Sequence, residues 1–148
     1  MTYEIKPVTQ ADQKWVVNEA AKEMLFNEVN RPELYNPLQL TYLLKKVISD
    51  GTGLICWKDG VRVGLVCGIK TPHFLNPKHV TLTELIWYIK PSHRRTRATV
   101  MLLKGFKELV SQHANEGIFT LLMETEISNE SMAKFGFKPL ERNFSIRI

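Results

Sequence analysis

Five basic side chains fall within eight residues: Lys90, His93, Arg94, Arg95 and Arg97. Clustered cations of this kind attract an anionic partner, and their place in the chain narrows the chemistry. The apolar, β-rich run before them stops at Pro91, which cannot donate to a strand ladder, and a helix pattern opens at about Arg97. A helix N-terminus carries unpaired backbone N–H groups and the positive end of the helix dipole, which together suit phosphate. Arg94, Arg95 and Arg97 beside it make a pocket suited to a pyrophosphate. A solvated basic turn has the same composition, and nucleic-acid phosphates would be held by the same charge in loop 90–97. Base stacking would also need exposed aromatics, whereas Trp15, Trp57 and Trp87 read as core-facing.

Other chemistries lack their residues. There is no Gly-x-Gly-x-x-Gly and no Gly-x-x-x-x-Gly-Lys, so the usual dinucleotide and P-loop signatures are missing. Histidines 73, 79, 93 and 113 form no helical ligand pair, and His73 and His79 share a loop without a cysteine or carboxylate cluster, so no metal is expected. Cys56 and Cys67 are too few for a disulfide framework and read as free thiols, which points to a cytoplasmic location. The chain goes straight into a strand pattern at Thr2–Lys6, with no signal-peptide pattern. No apolar run approaches the ~20 residues that span a bilayer. The 148 residues carry a net charge of +5 and are 44% apolar and 24% charged. That fits one globular domain over residues 1–148, burying roughly 70% of its unfolded surface.

The elements that position the basic loop follow from period and punctuation. Tyr3 to Val8 alternates as an edge or first strand. Thr9 and Asp12 form a capping-box pair for a helix from about Ala11 to Phe26. Asn36-Pro37-Leu38-Gln39 opens a second helix, whose core face is Leu40, Leu43, Leu44, Val47 and Ile48, and Gly51 ends it. Leu54 to Trp57 and Val61 to Ile69 read as a hairpin joined at Asp59-Gly60. A third run, Val80 to Ile89, precedes the basic loop. A helix follows from about Arg97 to His113, then a strand buried on both faces from Ile118 to Met123. A short helix over Ser128 to Phe135 and a last strand ending near Ile148 complete the order β-α-α-β-β-β-α-β-α-β. The passage from Val80 to Met123 is expected to be a parallel crossover.

The segment Ile89-Lys90-Pro91-Ser92-His93-Arg94 resembles the start of the central motif of the GNAT superfamily of N-acetyltransferases, in which a strand ending V-x-P-x-x-R leads into Arg/Gln-x-x-Gly-x-Gly/Ala. The opening Tyr3–Asp12, the Asp59-Gly60 hairpin, the loop Thr71-Pro72-His73-Phe74 and the ending Gly136-Phe137…Leu140–Phe144 fit the same family. Together with Glu84–Tyr88 they are similar to small GNAT-like proteins encoded by bacteriophages, over nearly the whole chain. The resemblance implies a mixed α/β (α+β) fold, a central mixed sheet of about six strands flanked by about four helices. It implies acetyl-CoA as cofactor and direct acetyl transfer to an amine on a small molecule or protein.

By that resemblance, the strand before the motif carries a β-bulge, and Trp87 and Ile89 contact the pantetheine arm. The amides of Arg94, Arg95, Thr96, Arg97, Ala98 and Thr99 wrap the pyrophosphate, and Asn129 contacts the cofactor arm. Glu84 is the candidate base, with Tyr88 and His93 as alternatives. Two departures stand out. Arg97 and Thr99 occupy the positions of the motif's glycines, which let backbone approach phosphate closely. Met132 stands where the family's usual acid is a Tyr. A catalytically inactive GNAT-fold protein, acting as a phage structural or host-binding component, is therefore the alternative, and nucleic-acid binding through the basic loop is the third reading. Residues 26–37 and 71–79 are expected to set the acceptor, with Glu28 and Glu33 available to attract a cationic amine, and the last strand leaves homodimer formation open.

Overall fold

Alternation and turn chemistry build the first four strands as expected. In the computed structural model, which describes residues 2–123 and 125–148, β1 (Tyr3–Pro7), β2 (Gly53–Lys58), β3 (Val61–Pro72) and β4 (Val80–Ile89) run antiparallel in sequence order. The β2–β3 turn needs two residues with positive φ to match strand twist; Asp59 and Gly60 supply them at 51° and 76°. β5 (Glu116–Ile118) joins the edge of β4 in parallel, through Thr81–Glu116, Leu82–Gly117 and Thr83–Ile118.

The N-terminal helical run, residues 10–28, starts on the expected capping box of Thr9 and Asp12. It is not one regular helix: short α segments, α1 (Gln13–Trp15) and α2 (Ala21–Glu23), alternate with π turns at Val16–Ala20 and Met24–Glu28. The Val17 carbonyl accepts a hydrogen bond from the Tyr35 hydroxyl at 2.9 Å, tying the following loop to the run. α3 (Pro37–Asp50) has the expected ends: Asn36 accepts from the Gln39 amide and Gly51 takes the left-handed conformation. α4 (Arg97–His113) spans the crossover from β4 to β5, and α5 (Asn129–Ala133) is one short turn capped by Ser128.

Apolar faces divide the molecule into three layers. Val16, Val17, Ala20 and Ala21 of the helical run, with Leu44 and Val47 of α3, bury one face of the sheet against Ile55, Leu65, Cys67, Ile86 and Tyr88. α4 covers the other face through Ala98, Leu102, Phe106 and Leu109, against Cys56, Val63, Val66, Leu82 and Ile89. Among the described residues no helix is long and apolar enough to cross a membrane.

Two sequence expectations fail at the C-terminal end. The run Ile118 to Met123 is not a doubly buried strand: the ladder stops at Ile118, and Met123 is 95% exposed. Its apolar content goes into side-chain packing instead, with the Phe119 ring 5.2 Å from both Trp87 and Phe106 and 5.9 Å from Phe137. The last strand does not form, so the sheet has five strands rather than about six. Residues 138–148 take no regular secondary structure and are exposed, with Phe144, Ile146 and Ile148 each at least 84% exposed and no ladder partner among the described residues.

Candidate active site

The central feature is a parting of β4 and β5. Their ladder ends at Thr83, so the outer edge of β4 from Glu84 to Ile89 has no strand partner among the described residues. A β-bulge sits at the point of parting. Cys67 pairs with Ile86 and Gly68 with Glu84, leaving Leu85 as the extra residue, and such a bulge bends the strand and re-aims its side chains. Opposite Glu84 only glycine fits: a Cβ on Gly68 would lie 2.9 Å from Leu82 Cγ and 3.0 Å from the Thr83 carbonyl oxygen.

Beyond the open edge, the chain turns at Pro91–His93 and enters α4. Arg95 has φ of 61°, a left-handed conformation uncommon outside glycine. The Thr96 hydroxyl donates to the His93 carbonyl at 2.6 Å and accepts the Ala98 amide at 3.2 Å. The amides of Arg95, Thr96 and Arg97 have no hydrogen-bond partner among the described residues. Three free amides therefore lie in sequence where α4 presents the positive end of its dipole, a concentration of donors that favours an anion.

The three arginines do not converge as the pyrophosphate pocket expected from sequence. Arg94 turns inward: its Nε donates to the Ile89 carbonyl at 3.0 Å and its guanidinium pairs with Glu28. It braces the loop against β4 and the helical run. Arg95 forms an exposed pair with Glu126, and Arg97 points to solvent rather than packing into the loop at the missing glycine's place. Ala98 is fully buried in the α4 core and Thr99 is half-buried. Glu28, expected to attract a cation, is instead neutralised by Arg94, and Glu33 is an exposed partner of Arg31 at 2.5 Å.

The other candidates separate. Trp87 and Ile89 lie on the α4 side, Trp87 half-buried against Phe119 and Ile89 with its carbonyl held by Arg94. Burial pushes the Glu84 carboxyl up to about 7. His93 is engaged through Nδ1 by the Tyr3 hydroxyl at 3.0 Å. Asn129 is exposed at the first position of α5, and Met132 is buried. His79 Nε2 meets Glu116 at 3.0 Å, while His73 Nδ1 accepts the Leu75 amide. Both cysteines are buried and stay protonated, Cys67 pushed up to about 12 by burial and the nearby Glu84 charge.

Tyr88 belongs to the opposite face, packed on Trp15 with ring centroids 6.4 Å apart. It floors a cleft of about 450 Å³ walled by Trp15, Asn18, Glu19, Glu23 and Phe26 of the helical run, with Lys90 at the strand end. Glu84 does not line this cleft, and neither does any residue of the 71–79 loop. Glu19 and Glu23 are carboxylates that the sequence reading passed over. The signal was present: 15, 18, 19, 22, 23, 26 and 27 repeat at i, i+3, i+4, i+7, i+8, i+11 and i+12, a single helical stripe. Burial, with the Glu23 and Glu19 charges beside it, pushes the Tyr88 phenol upward, so it stays protonated at neutral pH.

No protein-family profile and no curated protein matches the sequence. Solved structures do match the fold. An aminoglycoside N-acetyltransferase in complex with the bisubstrate analogue CoA-S-monomethyl-acetylneamine superposes with TM-score 0.73 at 14% identity, covering 100% of this chain and 99% of that one. A predicted acetyltransferase from Clostridium acetobutylicum, solved with acetyl-CoA, gives 0.72 at 15%, covering 99% and 96%. A transcriptional regulator from Bacillus halodurans gives 0.72 at 15%, covering 99% and 100%. Likeness at this identity does not bear on the resemblance to bacteriophage-encoded proteins, and it transfers architecture rather than activity. The chain has the mixed α/β fold of the GNAT acetyltransferases.

Proposed function

We propose that the protein is an acetyl-CoA-dependent N-acetyltransferase that passes the acetyl group directly to an amine, with residues 1–148 acting as one domain. The observation that carries this reading is the open edge of β4, bulged at Leu85 and continued by the free amides of Arg95, Thr96 and Arg97 at the start of α4. An extended, amide-bearing arm ending in a pyrophosphate matches that sequence of donors and acceptors. The solved relatives that hold CoA analogues or acetyl-CoA support the same ligand. Arg97, in place of the motif's first glycine, faces solvent and so leaves the loop amides accessible.

Acetyl-CoA, when bound, supplies an activated acetyl thioester that an amine can take up with loss of the thiol. Of the expected amides Arg94 to Thr99, those of Arg95, Thr96 and Arg97 are free and would hold its phosphates, those of Arg94, Ala98 and Thr99 being engaged within the fold. Trp87 and Ile89 would flank its arm, with Asn129 as a further contact. Glu84, which does not line the cleft over Tyr88, takes the proton that the amine loses by way of water as the nitrogen bonds to the acetyl carbon; a carboxyl titrating near 7 exchanges protons readily at neutral pH. The protonated Tyr88 phenol donates to the sulfur as the C–S bond breaks, the role left open by Met132. Positioning of amine and thioester contributes several kcal/mol besides.

Thermal unfolding with and without acetyl-CoA tests the reading, with dephospho-CoA as control. Ligand at about 100 times its dissociation constant adds roughly 2.7 kcal/mol, a rise of a few degrees. No rise at millimolar acetyl-CoA overturns the proposal.

A further inference from the structure

The cleft over Tyr88 carries a statement about the acceptor. Tyr88 is only 6% exposed, and its hydroxyl, which makes no hydrogen bond among the described residues, is the part that reaches the solvent of the cleft. A phenol whose ring is packed and whose hydroxyl alone faces a cleft is a fixed hydrogen-bonding group for whatever enters it. Glu19 and Glu23 stand one helical step apart on the wall above it, and neither forms an ion pair among the described residues. Glu23 accepts only the Asn27 side-chain amide, at 2.7 Å. Trp15 and Phe26 supply aromatic walls, which favour both methylene groups and a cation. Two cations share the cleft. Lys22 lies over the Phe26 and Tyr35 rings at 5.8 and 6.0 Å, and Lys90 sits at the far end beside the basic loop. The cleft is thus neutral in sum but divided, with its negative pole at Glu19 and Glu23, beside the uncharged Tyr88 hydroxyl. At about 450 Å³ it holds a small molecule rather than a folded surface.

Resting on the acetyltransferase reading above, we propose that this cleft binds the acceptor, and that the acceptor is a small organic cation with at least two amino groups. One group is held as ammonium by Glu19 and Glu23, and the second is free to react. The number follows from the chemistry of the pole. Two carboxylates favour the charged form of any amine they hold, and an ammonium has no lone pair with which to attack a thioester. A monoamine seated there is kept in its unreactive state. A diamine satisfies the carboxylates with one nitrogen and presents the other.

The test is calorimetric titration of 1,4-diaminobutane and of butylamine into the CoA-loaded protein at low salt. The wild type is compared with a Glu19→Gln/Glu23→Gln variant, whose changes lie on a solvent-facing stripe. The diamine is expected to bind at least about tenfold more tightly than butylamine, with that preference lost in the variant. The variant's melting temperature and its rise with acetyl-CoA are expected to match wild type. Equal affinity for the two amines, or an unchanged preference in the variant, overturns the inference while leaving the acetyltransferase reading intact. Absence of an acetyl-CoA response in wild type overturns that reading instead, and the titration into unloaded protein still reports on the cleft.

Discussion

Glu84 stands on β4 opposite a glycine, half-buried and without a hydrogen-bond partner among the described residues. Its carboxyl is raised from 4.5 to about 7 by burial. Between those two values the folded protein binds more protons at this site than the unfolded chain does. Stability therefore falls as pH rises through that window, and the full cost persists above it. Glu84→Gln is expected to flatten the dependence, gaining on wild type by on the order of 1–3 kcal/mol between pH 5 and 8; urea unfolding at several pH values measures it. If Glu84 is the base, wild-type turnover rises through pH of about 7 with its ionisation, and the Gln variant loses that limb. Tyr88 gives the complementary case. Its hydroxyl makes no hydrogen bond among the described residues, so Tyr88→Phe is expected to change stability by less than about 1 kcal/mol. As the proton donor it carries more weight, and the same variant is expected to lower kcat by about a hundredfold. A steady-state assay beside a melting curve separates the two effects.

At the scale of elements, the site depends on how β4 leaves its neighbours. The bulge at Leu85 and the glycine opposite Glu84 set the angle at which β4 runs past the end of the β5 ladder. Gly68→Ala would drive a Cβ to within 3.0 Å of the Thr83 carbonyl oxygen and against Leu82. The backbone cannot move aside there without opening the β3–β4 ladder. We expect a loss of about 1–3 kcal/mol, read by urea unfolding, together with a diminished melting response to acetyl-CoA. Arg94 acts at the same scale. By joining Glu28 and the Ile89 carbonyl it fixes the basic loop to both the strand and the helical run, a structural use of a residue whose type alone suggested phosphate contact.

Across the whole molecule, the two sheet faces are closed and the C-terminal end is not. Phe137 is the last residue with a place in the aromatic cluster of Trp87, Phe106 and Phe119. The eleven residues after it bury little: Leu140, Phe144, Ile146 and Ile148 are all at least 64% exposed. A chain ending at Phe137 is therefore expected to melt within about 2 °C of the full-length protein and to keep its acetyl-CoA response. Differential scanning calorimetry of the two forms checks this. A large loss would mean that the segment is packed in solution, in its own sheet or against another copy.

The residues themselves carried the local structure. Asn36 and Gly51 bound α3, Asp59-Gly60 turn the hairpin, and α4 runs from Arg97 to His113 as its apolar spacing requires. These are short-range choices, fixed by side-chain hydrogen bonds, positive φ and helical period within a few positions. The basic loop was legible for the same reason, and the parallel pairing of β4 with β5 followed from the handed crossover of a strand–helix–strand passage. Apart from the π turns that interrupt the N-terminal helical run, the failures concern partners distant in sequence. Ile118–Met123 has the composition of a buried strand, but composition cannot say that β5 leaves β4 after three pairs and that Phe119 packs on Trp87 instead. Arg94 and Glu28 lie 66 positions apart, and only the fold makes them an ion pair. The cleft over Tyr88 is likewise a product of tertiary packing. A helical stripe and a strand residue became one site when burial of Trp15, Val16 and Ala20 set the run against the sheet, leaving the Tyr88 hydroxyl facing the cleft with no hydrogen bond among the described residues.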